Sequence, residues 1–143
     1  MTDLGFELVY TENDWYDGPR AGLAAVDGVP HYFRAVNVYH RGDDQDDVYL
    51  VWPLTEPALA WEREQWAIFV DWDARRRAGD ASAGPHPGHR GTSLRYDELD
   101  DLLAPYRVVP TDARRLKAER RPHGRHKGYH ADGPGYDVRW SPL

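Results

Sequence analysis

Two carboxylates fall on the apolar face of a segment whose pattern predicts a long helix. This segment, residues 56–80, contains three of the six tryptophans. At about 100° per residue, Glu62 and Asp73 lie in the same arc as Trp66 and Phe69. A buried carboxylate is costly unless it is paired or protonated, and a desolvated carboxylate can act as a general acid or base. We therefore predict that both are either catalytic groups or members of structural ion pairs.

The two carboxylates are about three helical turns apart, roughly 16 Å along the axis, so each needs its own partner. Groups on the facing sheet are the natural source. We assign Glu62, Asp73 and His31 as candidate acid–base residues. The predicted substrate pocket lies between the sheet and the helix, and its candidate binding residues are Arg20, Tyr32, Trp66, Phe69 and Trp72.

Other reaction chemistries have weaker support in the sequence. The chain has no cysteine, which excludes thiolate metal sites and cysteine nucleophiles. Neither a Gly-rich phosphate loop nor a Gly-x-Ser-x-Gly elbow is present. Histidines cluster in two segments, His86 with His89, and His123 with His126 and His130. Their Gly, Pro, Arg and Lys neighbours do not favour a preorganised metal site. We expect no metal and no cofactor.

The elements that must position these residues follow from periodicity and turn signals. Asp27-Gly28 predicts a two-residue hairpin turn, while Thr55 and Ser93 are predicted helix caps. On the fourth strand, alternation assigns Val48 and Trp52 to the core face. The predicted strands are 6–10, 20–26, 29–40, 48–54 and 136–140, with an exposed turn at 41–47, and the predicted helices are 56–80, 94–103 and a polar one at 112–121.

These elements predict an α+β fold in a single domain, residues 1–143. A length of 143 residues is enough to bury a substantial core. The sheet would be a curved antiparallel meander of four or five strands, with a partial barrel as an alternative. We expect the Trp-rich helix on its concave face, with one or two shorter helices and a C-terminal strand completing the fold.

One segment supports a resemblance to known proteins. Residues 14–33, DWYDGPRAGLAAVDGVPHYF, combine an aromatic pair, Asp-Gly-Pro, a Gly-hydrophobic-Ala step and Gly-x-Pro-His-x-Phe. In this pattern the chain is similar to an uncharacterised family of small bacterial proteins. The Trp-rich helix and the closing Val-Arg-Trp-x-Pro-Leu belong to the same resemblance, which thus covers most of the chain. It implies no catalytic residue.

Charge is unevenly distributed along the chain, and this bears on its partners. The net charge is −6, but residues 107–130 carry eight Lys/Arg against two acidic residues. We predict that this basic segment docks on the acidic remainder of the chain. Sparse aromatic interleaving argues against nucleic acid as its partner. With no apolar run of membrane-spanning length, we expect a cytoplasmic monomer or homodimer.

Two functions remain open at this stage. The first is a protein whose aromatic-lined pocket binds a small molecule and transforms it by acid–base chemistry or simply holds it. The second is a non-enzymatic interaction protein, of immunity or inhibitor type, whose acidic surface holds a basic protein partner. The buried-face carboxylates favour the pocket, because a simple scaffold does not explain them.

Overall fold

Six antiparallel strands close into a barrel in chain order, with the helices inserted between the fourth and fifth strands. The computed structural model describes residues 5–15, 19–36, 48–122 and 129–143. The strands are β1 (Phe6–Trp15), β2 (Pro19–Val26), β3 (Val29–Ala35), β4 (Val48–Pro53), β5 (Arg114–Pro122) and β6 (Tyr136–Ser141). The helices are α1 (Glu56–Arg77) and α2 (Leu94–Leu103), with short 3-10 segments at Ala81–Ala83 and Ala104–Arg107.

The predicted α+β class, with its antiparallel sheet and long Trp-rich helix, is confirmed. The sheet is more closed than the predicted partial barrel, because β1 also pairs with β6. The predicted end of the third strand at 37–40 and the turn at 41–47 lie outside the described residues. No helix of the described segments is long and apolar enough to cross a membrane.

Local signals placed several boundaries correctly. Asp27 and Gly28 have φ values of 54° and 79°, the left-handed pair that a two-residue hairpin turn requires. Thr55 caps α1 by accepting a hydrogen bond from the Ala58 N–H at 3.4 Å. Ser93 caps α2 through the Tyr96 N–H at 3.2 Å. These turns and caps fix the entry of each element onto the barrel.

The barrel interior is filled by its own strands, so α1 does not occupy a concave face as predicted. Tyr49 and Val51 of β4 belong to this core, whereas Val48 and Trp52 are buried on the outer face of the same strand. The predicted core face of β4 was therefore wrong. The interior residues are Val9, Ala24, Val26, Phe33, Ala35, Tyr49, Val51, Leu116, Tyr136 and Val138.

The polar helix predicted at 112–121 was also wrong, because this segment forms β5. It pairs with β4 on one side and β6 on the other. Leu116 and Ala118 alternate toward the core while charged residues point outward, which is the period-two pattern of a half-buried strand. Without β5, both neighbouring strands would expose unpaired backbone groups, so barrel closure overrides the weak helical pattern.

The close approach of β1 and β2 generates a first prediction. A Cβ added at Gly22 would lie 2.3 Å from the Thr11 carbonyl oxygen and 2.9 Å from the Phe33 ring. We expect Gly22→Ala to destabilise the protein by about 3 kcal/mol, since backbone cannot move aside as a flexible side chain can. Urea unfolding measures this change.

Gly28→Ala is the matched control, because its Cβ would meet nothing within 4 Å and only the positive φ is strained. We expect a cost of about 1 kcal/mol there. Equal losses of stability in the two variants would contradict the close packing at Gly22.

Candidate functional site

Glu62 lies fully buried on α1 and is paired with Arg107, which lies in the 3-10 segment after α2. The side chain of Glu62 has 0% exposure and that of Arg107 has 22%. Arg107 Nε donates to Glu62 Oε2 at 2.9 Å, and Arg107 Nη2 donates to Glu62 Oε1 at 2.7 Å. This bidentate geometry is the strongest form of such a pair. The charged partner of Glu62 thus comes from beyond α2 and not from the sheet.

The ion pair is the centre of a larger set of partly buried hydrogen bonds. Arg107 Nη2 also donates to Gln65 Oε1 at 2.6 Å, and Gln65 Nε2 donates to Asp100 Oδ1 at 2.7 Å. From β1, Asn13 Nδ2 donates to Glu62 Oε1 at 3.1 Å. We call Arg107, Glu62, Gln65, Asp100 and Asn13 the Arg107 network. It joins α1, α2 and the barrel in one connected unit.

The charge state of Arg107 is set by competing effects. Burial alone would lower its pKa, but the hydrogen bond and the negative charge of Glu62 raise that pKa above its ordinary value. The guanidinium carbon lies 5.8 Å from the centre of the Tyr32 ring. Burial raises the pKa of Tyr32, so its hydroxyl stays protonated. Tyr32 therefore packs beneath the network as a neutral ring.

Asp73 is also buried, with 4% side-chain exposure, and it is neutralised within its own helix. Arg76 Nη2 and Arg77 Nε donate to its two carboxylate oxygens at 2.9 and 2.8 Å. These arginines are about half exposed, so they snorkel from a buried carboxylate toward water. Asp73 therefore needs no partner from the sheet.

The remaining predicted polar residues occupy other parts of the barrel. His31 is buried on β3, where its Nδ1 lies 2.7 Å from the Val29 carbonyl oxygen. Alternation places it on the same face as Phe33, opposite to Tyr32. Arg20 is buried on β2. The structure therefore does not gather Glu62, Asp73 and His31 around one point.

A cavity of about 190 Å³ lies between β1 and α1. We call it the β1–α1 cavity. Of the predicted pocket residues, Trp66 and Phe69 line it. Trp72 does not, but its ring contacts the lining residue His86, with ring centres 4.8 Å apart and planes tilted by 54°. The lining residues are Glu12, Asn13, Gln65, Trp66, Phe69, His86, Tyr96 and Tyr129.

Aromatic rings packed around Phe69 form one wall of the cavity. Its ring centre lies 5.5 Å from that of Trp66 and 4.9 Å from that of Tyr129. The His86 ring lies 5.2 Å away on another side. Trp66 is fixed in turn, because its Nε1 donates to the His130 carbonyl oxygen at 2.7 Å. These contacts hold the rings in different planes around the cavity.

Glu12 of β1 is the carboxylate that the structure places in the cavity. Desolvation by burial raises its pKa, although hydrogen bonds from Tyr136 and Tyr129 and the charge of Arg120 act in the opposite direction. The Tyr136 hydroxyl donates to Glu12 Oε2 at 2.5 Å. Sequence reasoning missed Glu12 because the first strand was predicted to end at Tyr10, which left this residue outside any predicted element.

His86 adds a neutral imidazole. Its Nδ1 accepts a hydrogen bond from the Gly88 N–H at 2.8 Å, which leaves the ring proton of the neutral form on Nε2. Burial and the neighbouring His89 lower the pKa of His86. Burial also raises the pKa of Tyr96 and of Tyr129. At neutral pH the cavity therefore offers neutral donors beside one titratable carboxylate.

In the part of the chain that the structure describes, no group of three or more His, Asp or Glu side chains is arranged to hold a metal ion. His86 and His89 neighbour each other, with ring centres 6.3 Å apart. His123 and His126 lie outside the described residues.

The Arg107 network generates a second prediction. Glu62→Gln keeps the shape of the side chain but removes the bidentate carboxylate, so the largely buried Arg107 keeps only the longer pair with Asp100, at 3.4 Å. We expect a loss of about 3–5 kcal/mol in the free energy of unfolding. Urea denaturation provides the measurement.

Glu64→Gln is the matched control on the same helix. Glu64 makes an equally bidentate pair with Arg95, at 2.6 and 2.8 Å, but both side chains are more than 40% exposed. Solvent screens such a pair, so we expect little measurable change. A Glu62→Gln variant as stable as this control would contradict the central role of the network.

The raised pKa of Glu12 generates a third prediction, on pH dependence. A carboxyl group whose pKa is higher in the folded than in the unfolded protein contributes fully to stability below the pKa of the unfolded state, here 4.5. This contribution is lost as the pH rises through the pKa of the folded state. We expect Glu12→Gln to gain stability relative to the parent protein as the pH rises above 4.5. Thermal melts across pH give this difference.

The other charged and titratable groups that face Glu12 are present in both proteins, so their own titration cancels in the comparison. They are Tyr129, Tyr136, Arg120 and His86. A difference that is independent of pH would show that Glu12 is not desolvated.

Comparison with known proteins gives no counterpart for this arrangement. No protein-family model matches the chain. Neither a curated protein nor a solved structure matches it. The function must therefore be argued from the β1–α1 cavity itself.

Proposed function

We propose that this protein binds a small molecule in the β1–α1 cavity. The observation that carries the proposal is a concave site walled by packed aromatic rings, with one desolvated carboxylate, Glu12, among its polar groups. Binding sites for small molecules are typically concave, largely apolar and equipped with a few fixed polar groups. A protein that serves only as a scaffold, with a filled core and exposed charges, does not require such a cavity.

Preorganised polar groups support the proposal. Asn13 and Gln65 line the cavity, and both belong to the Arg107 network. Their amide groups are held by hydrogen bonds to buried charged residues, so they keep one orientation before any ligand arrives. A site supported in this way loses little conformational entropy on binding.

The size of the cavity limits the ligand. An apolar cavity of about 150 Å³ accommodates benzene, and typical drug-binding pockets measure roughly 300–1,000 Å³. The β1–α1 cavity, at about 190 Å³, falls near the lower value. The ligand, or the part of it that enters, is therefore about the size of one ring or one branched headgroup.

A proton-transfer step on the bound molecule would fall to Glu12. Among the described residues that line the cavity it is the one carboxylate, and burial raises its pKa toward neutrality. Glu62 and Asp73 are held in ion pairs with arginines and do not line the cavity. His86 contributes a neutral imidazole on the same surface. Glu12 and His86 thus supply the groups that acid–base chemistry would need. The proposal that the cavity binds a small molecule does not depend on such chemistry.

The alternative of an interaction protein stays a prediction. Large exposed hydrophobic residues mark docking surfaces when they form a contiguous patch. The most exposed ones here, Leu94, Val108 and Leu143, belong to different parts of the chain. No feature of the described surface favours a protein partner as specifically as the cavity favours a small molecule.

A ligand screen with cavity variants tests the proposal. Thermal melts would be recorded with a panel of small amines, carboxylates and uncharged aromatic compounds. A ligand present at about 100 times its dissociation constant should raise Tm by roughly 5–10 °C. Phe69→Leu, which removes the ring at the centre of the wall, should abolish the shift.

Phe6→Leu is the matched control, because Phe6 packs against Arg121 and Arg139 and does not line the cavity. It should leave the ligand-induced shift intact. The proposal fails if no compound stabilises the parent protein, or if Phe69→Leu and Phe6→Leu respond equally.

A further inference from the structure

The charged group that lines the β1–α1 cavity is negative. Of the described lining residues, Glu12 is the one carboxylate, and neither lysine nor arginine is among them. Asn13, Gln65 and Tyr96 are neutral, and burial disfavours the charged form of His86. A ligand entering this space therefore meets a carboxylate and no guanidinium or ammonium group.

The three aromatic rings of the cavity wall are inclined to one another and are not stacked in parallel. Tyr129 stands at 88° to Trp66 and at 64° to Phe69, with ring centres 5.5 and 4.9 Å apart. Trp66 and Phe69 are themselves inclined by 40°. Because these rings touch one another, they form one corner of the cavity, and their free faces can contact an ammonium group through the cation–π attraction.

Two nearby arginines are not among the described lining residues of the cavity. Arg77 lies over the Tyr129 ring at 5.9 Å and is paired with Asp73 at 2.8 Å, a carboxylate that it shares with Arg76. Arg120 lies over the Tyr136 ring at 5.7 Å and is likewise not among the lining residues, although its charge acts on Glu12. Their positive charges therefore do not present hydrogen-bond donors to the ligand.

We infer that the ligand of the β1–α1 cavity carries a small organic cation, a substituted ammonium group that contacts the aromatic rings and pairs with Glu12. This inference rests on the proposed function and narrows it to one ligand class. An anion would be repelled by Glu12. An uncharged aromatic molecule would leave that carboxylate buried with less compensation than a cation supplies.

Two matched probe pairs test the charge of the ligand. Choline is compared with its uncharged isostere, in which a carbon atom replaces the nitrogen, and benzylamine is compared with benzyl alcohol. Titration calorimetry on the whole chain measures each dissociation constant. We expect at least one cation to bind about tenfold more tightly than its neutral partner, as desolvated cation–π and charge contacts allow.

Glu12→Gln should remove this preference while retaining the binding of the neutral probes, because the amide keeps the shape and can still accept from Tyr136. Glu98→Gln on α2 deletes the same charge from an exposed residue and should leave the preference intact. Melts of the two variants in the absence of probe show that both are folded. A second readout is proton release, since a bound cation favours ionised Glu12 and the apparent enthalpy then depends on the buffer.

The possible failures are distinguishable. The cation inference is overturned if neither cation binds more tightly than its neutral partner, or if the preference survives Glu12→Gln. In either case, a ligand-induced shift that Phe69→Leu abolishes would keep the proposed function intact. If no compound of any charge binds the parent protein, both proposals fall together.

Discussion

The buried pair between Glu62 and Arg107 is the interaction on which the arrangement of this molecule depends. It connects the middle of α1 to the segment that leaves α2, and through Asn13 it reaches the barrel. Among the described residues, apolar contact between the helices centres on Ala58, Leu99 and Leu103, against which Leu54, Trp61, Ile68 and Tyr106 pack. A cluster of that size does not by itself fix an orientation, whereas a bidentate charged contact tolerates little displacement.

The same pair also explains why the cavity has a defined shape. Gln65 sits one turn after Glu62 on α1, so it accepts from Arg107 while its side chain lines the cavity. Asn13 has the same double role from the barrel side. A buried ion pair is weak evidence for stability alone, because desolvation offsets much of its attraction. Here it orients the groups that line the cavity.

The extent to which sequence predicts this structure differs from element to element. The helical wheel identified Glu62 and Asp73 as buried carboxylates, and their exposures of 1% and 3% confirm it. It could not identify Arg107, because a contact between residues so far apart in sequence is decided by tertiary packing. Asp73 pairs with Arg76 and Arg77, one turn further along the same helix. The Arg-rich end of the helix in the sequence does indicate such a pairing.

Barrel closure accounts for the other differences. The segment that contains Leu116 reads as a polar helix when taken alone, and it became a strand because two edges needed a partner. Glu12 carried no local anomaly, since one acidic residue near a predicted turn is ordinary. It became the cavity carboxylate only because β1 continues to Trp15 and carries it beneath α1.

The order of the strands has a consequence for how the chain reaches its native state. The first three strands are joined as sequential neighbours, so β1 to β3 can pair through local contacts. Both helices intervene before β5, and the final pairing joins Phe6 to Arg139. High contact order of this kind slows folding, because loop-closure entropy is lost before the distant contacts form. The cavity draws on β1, both helices and Tyr129, so a chain in which these distant segments have not yet met cannot bind a ligand there.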